Sequence, residues 1–222
     1  MNRQDRRRTA KAKGETIAQQ LARGFQWHQR GNLASAEAVF RKILSVDPDD
    51  QEAQRLLGEV LTDRGQFGEA VALLGQLVSR HPQQFNTHYA LGNAYRLSGQ
   101  NEAAIAAYQA SLAIEPHYLG SLHGLGLALR NARREREALE HFRSVLRLKP
   151  DWAVVWKDLG LTLAILGDFP LAEAALRRAI ALQPSLGDAH RHLAALCQER
   201  VEVEDVNLLM KTYTDPHTQA GE

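Results

Sequence analysis

Five prolines set the frame of this chain: Pro48, Pro82, Pro116, Pro150 and Pro184 stand 34 residues apart. Proline makes up about 5% of an average composition, so four further positions dictated by the first would all be proline by chance roughly 0.00001 of the time. Self-similarity at a fixed period of this length is the mark of repeated supersecondary units, each unable to bury its apolar face alone. In a chain of 222 residues the spacing leaves 16 before the first window and 36 after the fifth.

With Ile17 as position one, the windows are 17–50, 51–84, 85–118, 119–152 and 153–186. Position eight is Gly24, Gly58, Gly92, Gly126 and Gly160, and position twenty is Ala36, Ala70, Ala104, Ala138 and Ala172. Position fifteen is Gly31, Gly65, Gly99 and Gly167, with Arg133 the exception. Position eleven is Trp27, Leu61, Tyr95, Leu129 and Leu163, and position twenty-four is Phe40, Leu74, Tyr108, Phe142 and Leu176. Apolar residues at seven and eleven, then at twenty and twenty-four, follow helical spacing. Each window therefore reads as two helices joined at the glycine turn.

A glycine inside a helix costs roughly 0.5–1 kcal/mol relative to alanine, so the position-eight column must be about packing. We expect the missing Cβ to let the first helix lie close to its neighbours, with the position-twenty alanine as the matching small surface. Bulky residues at eleven and twenty-four would fill the space around that contact. The proline column cannot continue a helix and sets the turn into the next window. Pro170, after Asp168, sits instead at the opening of a helix, where proline is well tolerated.

At these columns the chain resembles the tetratricopeptide repeat (TPR) family, over residues 17 to about 200. The resemblance implies an all-α fold, a right-handed superhelical solenoid of antiparallel helix pairs. Position four departs from the family's frequent tryptophan: it is Gln20, Gln54, His88 and Leu122, and only Trp156 keeps it.

The formal charge of +1 hides an uneven distribution. Residues 1–16 carry six basic side chains (Arg3, Arg6, Arg7, Arg8, Lys11, Lys13) against Asp5 and Glu15, and read as a flexible tail. Without that tail 21 basic and 24 acidic residues remain, so the folded body lacks the basic character of a nucleic-acid-binding domain. The tail alone could touch polyanions. No apolar stretch follows its basic residues, so it is not a secretory signal. No apolar run approaches the ~18 residues a membrane helix needs, and a single cysteine, Cys197, cannot form an internal disulfide. These features point to a reducing, cytoplasmic setting.

Residues 187–213 read as a partial sixth unit or capping helices. His190, Leu193 and Cys197 fall at positions four, seven and eleven, but Ala194 replaces the glycine, Val206 the alanine and Thr218 the proline. Residues 214–222 lack the pattern and read as a flexible end. The degenerate close leads us to expect a longer parent protein. The basic opening looks like the start of bacterial TPR proteins that precede a catalytic domain, and the stretch from Val206 to Tyr213 is similar to the junction in bacterial TPR-sulfotransferase proteins. That resemblance implies a nucleotide-sulfate-binding domain beyond this chain, none of whose phosphate-binding motif is here.

No Walker loop, GxGxxG, GxSxG or HExxH motif occurs. The pair Gly124 and Gly126 falls at repeat columns, which packing explains. The nine histidines lack ligand-like spacing, so neither metal nor cofactor is expected. Cys197, on a core column, reads as an inert buried thiol. Trp152 and Trp156 read as packing at one junction between repeats, with an aromatic binding platform as the lesser reading. Enzyme activity within this chain is not expected.

Function is then expected on the concave surface, which in the TPR family is lined by first-helix positions two, five, nine and twelve to thirteen. Those positions are Glu52, Arg55, Glu59 and Asp63 in the second window and Asn86, Tyr89, Asn93 and Arg96 in the third. His123, Leu127, Arg130 and Asn131 follow, then Lys157 and Leu161, then Arg191. The early part is acidic and the later part basic, a gradient suited to an acidic segment or a terminal carboxylate at the later end. The carboxylate clamp of chaperone-binding TPRs needs lysine and asparagine at positions five and nine of one unit. Tyr89 with Asn93, and Lys157 with Leu161, each satisfy half. Three functions stay open: a scaffold that binds a protein or peptide in the groove, the substrate-recognition region of a TPR-sulfotransferase, and RNA binding through the basic tail. A merely solvated face is the plainer alternative to the groove.

Overall fold

The computed structural model describes residues 15–198, and among these all regular structure is helical. The helices are α1 Ile17–Gln29, α2 Leu33–Val46, α3 Gln51–Asp63, α4 Phe67–Arg80, α5 Phe85–Leu97, α6 Asn101–Ile114, α7 Leu119–Asn131, α8 Glu135–Leu148, α9 Ala153–Ile165 and α10 Phe169–Leu182. Helical backbone over 187–198, here α11, ends the described residues. First helices of 13 residues alternate with second helices of 14. The basic tail up to residue 14 and the segment 199–222, including the Val206 to Tyr213 stretch, lie outside the described residues.

The C-terminal ends of α1 to α10 are closed by backbone bonds at positions that the columns set. The turn inside each pair carries a left-handed residue at position fifteen, with φ of 73°, 74°, 81° and 81° at Gly31, Gly65, Gly99 and Gly167. This lets the N–H of position sixteen reach back to the carbonyl of position eleven, as in Gln66 N to Leu61 O at 2.9 Å and Gln100 N to Tyr95 O at 2.9 Å. Arg133 follows the same path at φ 62°, and Arg134 N closes on Leu129 O at 2.9 Å. A backbone that glycine adopts freely is thus imposed on an arginine. At the far end the N–H of position thirty-one bonds the carbonyl four residues back, as in Asp47 to Ile43 at 2.8 Å, and the proline follows. Asp168 accepts from Leu171 N at 3.3 Å and Pro170 stands in the first turn of α10, as its sequence context predicts.

The chain divides into two compact units at Gly124/Leu125, with α7 running through the division. In the first unit each helix packs on its chain neighbours, and first helices also pack on one another, α1 on α3 and α3 on α5. Its core holds Ala36, Phe40, Leu61, Ala70, Leu74, Ala104 and Tyr108, all fully buried. In the second unit α9 packs between α8 and α10, around Ala138, Phe142, Ala172 and Leu176.

The glycine column does mark close contact, but its partner differs from the expected alanine. A Cβ built on Gly24 would lie 2.5 Å from the Phe40 ring, on Gly58 2.5 Å from Leu74, on Gly92 2.7 Å from Tyr108 and on Gly126 2.6 Å from Phe142. The large position-twenty-four side chain lies across the bare glycine. At Gly160 the alanine backbone is among the nearest atoms, with Ala172 O at 3.1 Å beside Leu176. Tyr108 is gripped twice, since a Cβ on Gly124 would stand 2.6 Å from the same ring.

Cys197 also departs from expectation: it is exposed rather than buried. Position eleven is covered in complete pairs by the helix that follows, and no helix follows α11 among the described residues.

Candidate functional site

The first unit presents its inward columns on α3, α5 and the opening of α7. Arg55 reaches both acids of its own helix, Glu52 at one turn before and Glu59 at one turn after. Burial opposes the charge of Arg55, but the two carboxylates outweigh it and hold the guanidinium pKa above its usual value. Burial pushes Glu59 up, with Arg55 and His28 pulling the other way. His28 Nε2 lies 2.6 Å from Asp63 Oδ2, and that hydrogen bond raises the imidazole pKa against a smaller loss from burial. The acidic early part is therefore already matched by its own cations.

On α5 the arrangement turns on a residue outside the inward columns. The Tyr108 hydroxyl, from α6, donates to Asn93 Oδ1 at 2.7 Å and accepts from Arg96 Nε at 3.3 Å. Burial drives its pKa up to about 12, so it stays a donor at any physiological pH. The Tyr89 ring meets Tyr118 edge-on, with centroids 5.2 Å apart, and lies 6.2 Å from the Tyr108 ring. Asn86 and His123 are half-buried on the same unit. Tyr108 was missed because position twenty-four reads as core, and Tyr118 because it stands at position thirty-four, outside the inward columns. The available signal was a tyrosine where Phe or Leu stands elsewhere, since a buried phenol requires a hydroxyl partner.

In the second unit Asp158, 3% exposed, lies 3.4 Å from Arg130 Nη1 and 3.3 Å from Lys157 Nζ. Arg130 and Lys157, two of the cations of the predicted basic end, thus share one buried carboxylate. Arg191 is exposed and bonded to Asp188, Leu127 is half-buried and Asn131 exposed. His192 is held below its usual pKa by burial and then by Lys157, which keeps it neutral near pH 7. Arg130 and His192 border a cleft of about 520 Å³ lined by Leu161, Ile165 and Leu196. Asp158 was also missed; position six is otherwise Ala, Leu, Ala, Gly and His, and an acid in such a column needs a paired partner.

Position four acquires a common role. Gln54 Nε2, His88 Nε2, Trp156 Nε1 and His190 Nε2 each bond the carbonyl of the proline six residues earlier: Pro48, Pro82, Pro150 and Pro184. A carbonyl can only accept, so both histidines carry their proton on Nε2. Trp152 has a different neighbour, the Lys149 ammonium 5.5 Å above its ring. Among the described residues no group of three or more His, Cys, Asp or Glu side chains gathers as metal ligands, and no helix is long and apolar enough to cross a membrane.

Three family models match the chain: a tetratricopeptide repeat at 28–94, a TPR repeat at 92–131 and a tetratricopeptide repeat at 123–187. No curated protein matches it in sequence. Among solved structures it is similar to a thermophilic TPR protein of Thermus thermophilus, at 21% identity and TM-score 0.71 over 82% of this chain and all of that one. It is similar to MamA at 24% identity and TM-score 0.62, over 72% and 94% of the two chains. It is also similar to YrrB, described as a TPR protein with an unusual peptide-binding site, at 20% identity and TM-score 0.61 over 83% and 95%. The repeated columns, the paired helices they build and the unbroken run of matches from 28 to 187 together make this chain a member of the tetratricopeptide repeat family.

Proposed function

We propose that the chain is a protein-interaction scaffold that holds an extended peptide along the inward columns of the first helices of its first unit. The observation that supports this most is the state of Asn93. Its Oδ1 is taken by the Tyr108 hydroxyl, while its Nδ2 has no acceptor among the described residues. The carboxamide is thereby locked with its donor edge available for a peptide carbonyl, at no further cost in rotamer freedom. The half-buried Tyr89 beside it offers a rigid apolar face. YrrB, described as a TPR protein with an unusual peptide-binding site, shares the fold, which supports this reading. Arg96, on the same helix as Asn93, favours an acidic residue in the ligand.

The test is to recover bound peptides by pull-down, map them, and titrate the best one by calorimetry. Asn93→Ala should weaken it by about tenfold, the worth of one charge-free hydrogen bond left unmade in a desolvated site. Tyr108→Phe, which keeps the ring that packs on Gly92, should lose a similar amount with helicity unchanged. Equal affinity in both variants places the ligand elsewhere.

A further inference from the structure

A second cleft of the second unit, about 630 Å³, is left unused by that reading. It lies between α8 and α10 over the face of α9 that carries Trp156, Leu159 and Leu163. At about 100° per residue these positions are turned roughly half a turn from Lys157 and Leu161, the inward residues of the same helix. The size falls within the ~300–1,000 Å³ typical of built ligand sites.

One departure from the repeat marks it: column nineteen, which is Ser35, Glu69, Ala103 and Glu137 in the earlier windows, becomes Leu171. Ala174 and Ala175 put little bulk on this face of α10, where the preceding window has Glu140 and His141, and Leu171 stands 52% exposed at the cleft. Trp156 is held by its bond to Pro150 O, so its ring is fixed against the opening. Around this apolar lining stand Arg143 and Arg147 of α8 and Arg178 of α10. Arg143 pairs with Glu140, Arg147 donates to the Ser144 hydroxyl, and Arg178 has no acceptor among the described residues.

We propose that this cleft docks an acidic amphipathic helix of a partner protein, on a face separate from the peptide groove. The apolar lining calls for leucine-sized side chains from one stripe, and the arginines on both walls call for carboxylates flanking that stripe. α8 and α10 are the second helices of successive windows and run the same way, so the space between them is shaped for a third helix laid along it.

The probe is a fluorescein-labelled model helix about four turns long, with leucine along one stripe and glutamate elsewhere, and its counterpart with lysine for glutamate. Anisotropy titration against the full chain should show binding of the glutamate helix only. Leu171→Glu, a change at an exposed site, and Arg147→Glu with Arg178→Glu should each weaken it at least tenfold at unchanged circular dichroism. The double reversal should begin to bind the lysine helix. Asn93→Ala should leave binding as it is, which separates failure here from failure of the peptide groove. Equal binding of both helices, insensitivity to the cleft variants, or loss on Asn93→Ala would overturn the proposal. So would sedimentation showing a dimer that Arg178→Glu dissociates, since the occupant would then be a second copy.

Discussion

At the scale of single residues, much of this molecule consists of one requirement met by different chemistry. Gln54, His88, Trp156 and His190 look unrelated, yet each supplies one N–H to the carbonyl of the proline six residues back. That carbonyl follows a helix end and has no helical donor, so a side chain with a polar hydrogen at the right reach satisfies it. Leu122 is the one complete-window exception with no polar hydrogen to offer. Arg133 shows the reverse case, a fixed backbone requirement met by an unsuitable residue. Its φ of 62° is the conformation that Gly31, Gly65, Gly99 and Gly167 occupy, and a side chain there costs roughly 1–2 kcal/mol. Glycine's larger freedom in the unfolded chain returns part of that gain. Arg133→Gly should therefore stabilise the protein by about 0.5–1 kcal/mol, read as a higher urea midpoint at unchanged slope. A lower midpoint would show that the Arg133 side chain contributes more than its backbone strain removes.

Helix pairs are the scale at which charge acts. The His28 and Asp63 side chains join α1 to α3 in the first unit. Because the folded pKa of His28 is raised, its stabilising contribution is fully present below its unfolded value, near 6.5, and is lost as pH rises through the raised value. His141 and His192 are lowered by burial and act in the opposite sense, losing stability as pH falls. The contrast isolates the pair: wild type should lose more melting temperature than His28→Gln between about pH 6 and pH 8, while both share the part due to the other histidines. Parallel curves would mean that the contact adds nothing. Column positions already place Arg55 one turn from Glu52 and Glu59 on one helix, whereas the sharing of Asp158 by Arg130 and Lys157 is set by how the helices of the second unit pack.

At the scale of the whole molecule, a chain of repeats distributes its stability over neighbours instead of one shared core. Gly126→Leu tests this directly. A side chain there meets the Phe142 ring at a point where even a Cβ would stand 2.6 Å away, and overpacking of this kind costs about 1–3 kcal/mol or more. Native-state hydrogen exchange should then speed up by roughly tenfold or more in α7 to α9, while α1 to α3 keep their wild-type rates. Uniform acceleration along the chain would show that it unfolds as one cooperative body.

Local sequence determined the all-α class, the period, the helix pairs with their turns, and the family, because turns, caps and close contacts each demand a particular residue at a particular offset. Helical periodicity says which residues share a face, while the choice of the face expected to line the groove came from the family resemblance. What the tertiary structure decided is who meets whom. The position-eight glycines lie under the position-twenty-four side chains; Tyr108 reaches from a core column to lock Asn93 and Arg96; Asp158 draws two cations of the basic end onto itself; and Cys197 stands exposed. Each of these depends on how separate helices pack on one another. A period of 34 residues specifies that such contacts recur, but which atoms make them depends on side-chain size and rotamer once the helices have packed.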